Sequence, residues 1–132
     1  MENEKIDWNV IRLVAGEFWE NELSYINDDQ ISAIQSSIEN KTPVENNLIT
    51  YDDGFGFDLM PLIECVKTIF EVILVVLNLV LLYKGTKSDD NLLLEVRKAA
   101  DKSDNLNLKI NETDIETMKK IIKMIKGYYG IR

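Results

Sequence analysis

The chain has 132 residues, 45% of them hydrophobic and 29% charged, and its formal net charge is −8. This length and composition indicate one folded domain and exclude a disordered chain. The negative charge argues against binding to nucleic acid or to anionic lipid, because both carry the same sign. The sequence contains no histidine, which excludes histidine-based catalytic dyads and histidine-ligated metals.

Cys65 is the only cysteine, so neither an intramolecular disulfide nor a cysteine-based metal framework is possible. The first ten residues lack both the basic and the apolar region of a signal peptide, which predicts a cytoplasmic location. We therefore expect a protein without cofactors and without enzymatic activity.

Two helices are predicted in the N-terminal third. Asp7 is placed to cap a helix that begins at Trp8, and apolar residues then recur every three or four positions as far as Ile26. This pattern predicts one amphipathic helix of about five turns. The Asn-Asp-Asp sequence at 27–29 ends it and caps a shorter helix, whose apolar face is formed by Ile31, Ile34 and Ile38.

Residues 41–57 are predicted to form a long connection, because proline, asparagine, aspartate and glycine are frequent there. Loops of this length are uncommon in compact domains and are often functional. Within it, Phe55 and Phe57 either hold the loop on the core or dock a protein partner.

Three aspartates in and after this loop are a weak candidate metal site. Asp52, Asp53 and Asp58 would offer the oxygen ligands that Mg²⁺ and Ca²⁺ prefer. The aspartate spacing of an EF-hand and its final glutamate are absent, however. We therefore favour a turn followed by a helix cap, with no bound metal.

The segment from 59 to 84 is predicted to be a long helix. Pro61 falls in its first turn, where the missing N–H costs nothing, and Gly85 follows its end. The polar residues of this segment are spaced by three, four and seven positions, which places them on one narrow helical stripe and favours a helix over a strand: Glu64, Lys67, Thr68, Glu71 and Asn78.

This helix is apolar around the rest of its circumference, as is typical of the central helix of a bundle. Its uncharged run, residues 72–83, is shorter than the span of about 20 residues that a membrane requires. We predict a core helix of a soluble protein, and any part that the other helices leave uncovered would bind a partner. A membrane-associated segment and a strand are the alternatives, the latter because residues 72–76 are rich in valine and isoleucine.

Three elements are predicted after Gly85. Residues 88–103 read as a fourth helix that Ser88, Asp89 or Asp90 caps. Residues 105–110 alternate apolar and polar, which predicts an extended segment. The sequence Thr-Asp-Ile-Glu at 113–116 matches a capping box and begins a fifth helix that ends at Gly127.

The charges are distributed unevenly along the chain. Residues 1–58 carry 13 acidic and 3 basic side chains, a net of −10, whereas residues 59–132 carry 10 acidic and 12 basic ones, a net of +2. Such asymmetry can steer association, including head-to-tail self-association, or can be neutralised within the monomer if the last helix packs beside the first. The candidate partner-binding charges are therefore Glu17, Glu20 and Glu22 on one side and Lys119, Lys120, Lys123 and Lys126 on the other.

These observations predict an all-α protein: a single domain, 1–132, with a compact bundle of about five helices around a long central hydrophobic helix at 59–84. The predicted function is a non-catalytic protein–protein interaction module, such as an adaptor, a scaffold or the recognition subunit of a larger assembly. One alternative is a small acidic protein of the immunity or antitoxin type that neutralises a basic partner. Another is a membrane-associated subunit that uses 72–83, and the least favoured is a metal-dependent enzyme at the three loop aspartates.

Overall fold

The computed structural model describes residues 6–44 and 59–131, and within these two ranges the chain forms helices and no strand. The all-α prediction is therefore confirmed. Seven helices follow one another along the described chain: α1 Trp8–Phe18, α2 Glu20–Leu23, α3 Asp28–Asn40, α4 Met60–Tyr83, α5 Asp89–Ala100, α6 Asp104–Glu112 and α7 Ile115–Tyr128.

Helix α4 is the central element, and its bounds agree with the predicted long helix. Its 24 residues span about 36 Å, and Pro61 lies in its first turn. The helix ends because Lys84 and Gly85 adopt left-handed backbone conformations, with φ of 46° and 85°. The two signals that the sequence offered, an early proline and a terminal glycine, thus mark the real ends.

The other six helices all contact α4. Four of them form an arc around it in the order α1, α7, α5, α6, since each packs against the next. Helix α3 packs on α4 beyond α1, and the Trp8 indole N–H donates a 2.6 Å hydrogen bond to Glu39 that joins α1 to α3. The buried residues of α4 recur on every side that this shell covers: Ile63, Val66, Ile69, Phe70, Val72, Ile73, Val76, Leu77 and Val80.

The single helix predicted from Trp8 to Ile26 is wrong, because it is two helices separated at Trp19. This residue leaves the helical conformation (φ −133°, ψ 41°), and its ring is buried edge-on beside Phe18 at a centroid distance of 6.4 Å. Ile26, beyond the break, is also buried. The apolar spacing alone did not reveal the break, since both sides of it carry core residues.

The extended segment predicted at 105–110 is also wrong, because these residues belong to α6. The Ser103 hydroxyl caps this helix by accepting a 3.4 Å hydrogen bond from the Leu106 N–H. Of the three alternating apolar residues, Ile110 is buried, Leu106 is half-buried and Leu108 is 63% exposed. The alternation therefore does not mark the inner face of a strand.

Helix α7 begins one residue later than the capping-box prediction requires. Asp114, and not Thr113, is its N-cap, and the carboxylate accepts a 2.7 Å hydrogen bond from the Thr117 N–H. This backbone hydrogen bond lowers the pKa of Asp114. The helix also continues past Gly127 to Tyr128, and Gly130 then adopts a positive φ of 69°.

Two leucines of α4 provide a matched test of this packing. Leu77 is 2% exposed and Leu82 is 67% exposed. In dilute solution we expect Leu77→Ala to lower the free energy of unfolding by about 2–4 kcal/mol, because it opens a cavity in the core. Leu82→Ala should change it by less than about 0.5 kcal/mol. Urea denaturation measures both, and equal losses would contradict the assigned orientation of α4.

Candidate interaction surface

One face of α4 remains outside the core. The spacing between its successive residues is four and three positions in turn. Each of these residues is exposed or half-buried: Glu64, Thr68, Glu71, Val75, Asn78 and Leu82. This spacing places them in one row along the helix. The face lies between α3 and α6, which make no extensive contact with each other among the described residues.

The two halves of this face differ in chemistry. The N-terminal half is polar and follows the stripe that the sequence predicted. The C-terminal half is apolar apart from one amide, and we call it the α4 patch: Leu74, Val75, Asn78, Leu81 and Leu82. Leu82 is 67% exposed, Asn78 is exposed and the other three are half-buried. An apolar patch is thus accessible on the helix that forms the centre of the core.

The α4 patch borders a groove of about 960 Å³. Its walls come from the end of α3, including Ile38 and Lys41, and from the chain ends, including Ile6 and Tyr129. A hydrogen bond holds the second of these walls in place, since the Tyr129 hydroxyl donates to Asp7 at 2.7 Å. Burial and this hydrogen bond raise the pKa of Tyr129 above its ordinary value. The groove is therefore lined by positioned side chains that need little ordering when a partner binds.

Glu71 lies where the polar half of the face meets the apolar half. Burial raises the pKa of its carboxyl group, the nearby Lys67 ammonium partly offsets this, and Glu64 adds to it. A half-buried carboxylate beside an apolar patch is destabilised in its charged form. It would gain from a cation brought by a binding partner.

The acidic candidates lie at one end of the bundle. Glu17 on α1 and Glu20 on α2 are exposed, whereas Glu22 is half-buried. Asp28 at the start of α3 is 3.7 Å from Arg12, and its side chain is 96% exposed. These carboxylates form a solvated surface, as the interpretation that they steer association requires.

The basic candidates divide into two pairs. Lys126 is only 9% exposed, and its ammonium group lies 2.7 Å from Asp89 and donates a 3.3 Å hydrogen bond to the Lys87 carbonyl. Lys119 lies 2.6 Å from Asp90. Helix α7 does pack against α1, but these two cations are neutralised by the first turn of α5. The exposed basic candidates are therefore Lys120 and Lys123.

The remaining sequence candidates fall elsewhere. Asp52, Asp53, Asp58, Phe55 and Phe57 lie outside the described residues, so both hypotheses about that loop stay predictions. Within the described ranges, no three metal-ligating side chains come together. Cys65 is half-buried, and its sulfur is 4.0 Å from the Lys109 ammonium group in a recess of about 230 Å³ between α4 and α6.

Helix α4 is the one helix in the described part of the chain that is long and apolar enough to cross a membrane. This statement rests on length and composition alone, and the core helices of soluble proteins meet the same two criteria. Within the best-matching window, 44% of the residues are buried inside the fold. The finding keeps the membrane alternative open without favouring it.

No family model, curated protein or solved structure matches this chain. Its function is therefore inferred from the α4 patch, the groove and the charged surfaces. The sequence predicts a partner surface wherever the other helices leave α4 uncovered, but it does not indicate which part that is. The groove walls were missed because Ile38 and Tyr129 meet α4 only in the folded chain.

The buried ion pair of α7 gives a second matched test. Removing Lys126 leaves the Asp89 carboxylate, which is only 23% exposed, without its cation. We expect Lys126→Ala to lower the free energy of unfolding by about 2 kcal/mol, less than for a fully buried pair because Asp89 still reaches water. Lys123→Ala on the exposed side of α7 should have almost no effect. If urea denaturation showed equal effects, the pair would not be structural.

Glu71 gives a pH-dependent test. Its folded-state pKa is raised, so the cost of charging it is absent below the ordinary carboxyl pKa of 4.5 and appears as the pH rises through the folded-state value. In dilute solution we expect Glu71→Gln to raise the unfolding midpoint at pH 7, and the gain to vanish near pH 4. Glu17→Gln, on an exposed position, is the control. A loss of stability at pH 7 would contradict the assignment.

Proposed function

We propose that this protein is a non-catalytic protein–protein interaction module that binds its partner through the α4 patch. The observation that carries the proposal is the 67% exposure of Leu82 in an apolar patch on the central helix. On its other sides, that helix packs against the other six helices. A patch of this kind on a highly charged surface is typical of a binding site.

The energetics favour recognition at this position. Covering apolar surface contributes about 25 cal/mol per Å², and the α4 patch holds three leucines and one valine. Because α4 is fixed by packing along its other sides, binding would require little loss of conformational freedom. The polar residues beside the patch, Glu71 and Lys84, would then select the partner by charge.

This proposal includes the predicted roles of adaptor, scaffold or recognition subunit, which differ in what they connect and not in how they bind. A non-enzymatic role agrees with a chain that has no histidine, and the cytoplasmic location stays a prediction. The surface binds a protein in each of these roles.

A second candidate is the acidic protein that neutralises a basic target. The exposure of Glu17, Glu20, Asp28 and Asp29 favours it, since four carboxylates at one end of the bundle would attract a cationic surface. Here the binding residues are on α1 to α3 and not on α4. Replacing Glu17 and Glu20 by lysine would then abolish binding, whereas changes in the α4 patch would not.

Site-specific photo-crosslinking tests the main proposal. A benzophenone amino acid is placed at position 82 in the patch, and at the matched control position 94, where Leu94 of α5 is 53% exposed. In cells of the source organism we expect a discrete crosslinked product from position 82 and none from position 94. The product's mass then gives the size of the partner.

The outcomes separate the candidate functions. A product only from position 82 supports recognition by the α4 patch. No product from position 82, together with one from a label at position 20, would overturn the proposal in favour of the acidic surface. Recovery of position 82 crosslinked mainly to lipid would instead support the membrane-associated alternative.

A further inference from the structure

We propose that Cys65 on α4 and Lys109 on α6 form an oxidation-dependent covalent bridge, in which one oxygen atom joins the cysteine sulfur to the lysine nitrogen. The recess between these two helices is then a site of reversible modification. The inference goes beyond the proposed function, since it involves neither the α4 patch nor a protein partner.

The two reacting atoms are neighbours in the folded chain. The Cys65 sulfur and the Lys109 Nζ atom are 4.0 Å apart, although the residues are 44 positions apart in sequence. The Lys109 side chain is only 15% exposed, so burial limits the volume that its ammonium group can explore around the sulfur. Because the packing of α6 on α4 sets this distance, the pair exists only in the folded protein.

The recess admits a small oxidant to the sulfur. Cys65 is half-buried and lines a recess of about 230 Å³, whereas one water molecule occupies about 30 Å³. Hydrogen peroxide has only two oxygen atoms and therefore fits beside the thiol. Its product is a sulfenic acid, the first step of cysteine oxidation.

An oxidised Cys65 has no second thiol in the chain to react with, because it is the only cysteine. When no thiol is in reach, a sulfenic acid can react with a nearby nitrogen atom instead. Among the described residues that line the recess, Lys109 is the one lysine. Its ion pair with Glu112 at 3.3 Å does not lock the nitrogen away, since that carboxylate is 53% exposed and the pair is in contact with water.

The reaction balances with hydrogen peroxide as the oxidant. One peroxide converts the thiol to the sulfenic acid and releases one water molecule. The ammonium group loses a proton to water. A second peroxide then takes one hydrogen atom from the sulfenic hydroxyl and one from the amine as the oxygen–nitrogen bond forms, and two water molecules leave. Four thiol molecules reverse the reaction, giving cysteine, lysine, one water molecule and two disulfides.

The bridge would fix a helix that the core holds weakly. Helix α6 buries only Ile110, the residue next to Lys109. A covalent link to α4 ties α6 to the central helix and constrains the unfolded chain, as a disulfide does. We therefore expect the oxidised protein to unfold at a higher temperature than the reduced protein.

Peptide mass spectrometry of the peroxide-treated, folded chain tests the bridge. We expect a linked pair of peptides whose mass is their sum plus one oxygen atom less two hydrogen atoms, and fragmentation should place the link between Cys65 and Lys109. Dithiothreitol should separate them. Cys65→Ser and the charge-preserving Lys109→Arg should both lose this product, whereas Lys102→Arg, which replaces an exposed lysine just before α6, should retain it.

The same treatment in denaturing urea controls for proximity and should not yield the link. The proposal is overturned if the folded chain gives only sulfinic and sulfonic acid at Cys65, only a disulfide-linked dimer, or a link from Cys65 to another lysine. A link without a higher unfolding temperature would overturn the fixing of α6. None of these results affects crosslinking from position 82, so the two proposals fail independently.

Discussion

The need to cover an apolar 24-residue helix determines most of this structure. Helix α4 has no long polar face, so it is stable in water only when other helices pack along most of its circumference. The remaining six helices do this with short segments, and four of them, α1, α3, α5 and α7, each bury several residues in one continuous core. The N-caps Asp7, Asn27 and Asp114 fix where α1, α3 and α7 begin.

The same constraint explains why the candidate functional surface lies on α4. The helices that pack along α4 leave one row of residues accessible between α3 and α6. Polar residues occupy the N-terminal half of that row, but the C-terminal half is apolar around Asn78. An exposed apolar patch has a cost in solubility, which a binding role accounts for. The half-buried Glu71 lies beside the patch and the exposed Lys84 follows the end of α4, and in the proposed role these charges would orient a partner.

The sequence was most informative where one physical signal was strong. Pro61 and Gly85 bracket a run of apolar residues too long for a strand, so the bounds of α4 were predictable. Short elements were not, since α6 buries only Ile110 and its alternating leucines resemble a strand. The break at Trp19 contains neither glycine nor proline, and a large buried ring occupies it. The groove was unpredictable because it joins residues far apart in sequence.

Spin-label accessibility along α4 tests whether this helix is a core helix with one face open to water. A nitroxide is placed in turn at each position from 70 to 84 in a Cys65→Ser background, and its collision rates with a water-soluble paramagnetic complex and with oxygen are measured. The packing of α4 predicts high accessibility to the water-soluble complex at 78 and 82, low accessibility at 73, 76 and 80, and a helical period between them. Uniform protection from the water-soluble complex with high oxygen accessibility along the whole helix would contradict it, because that pattern marks a helix in a bilayer.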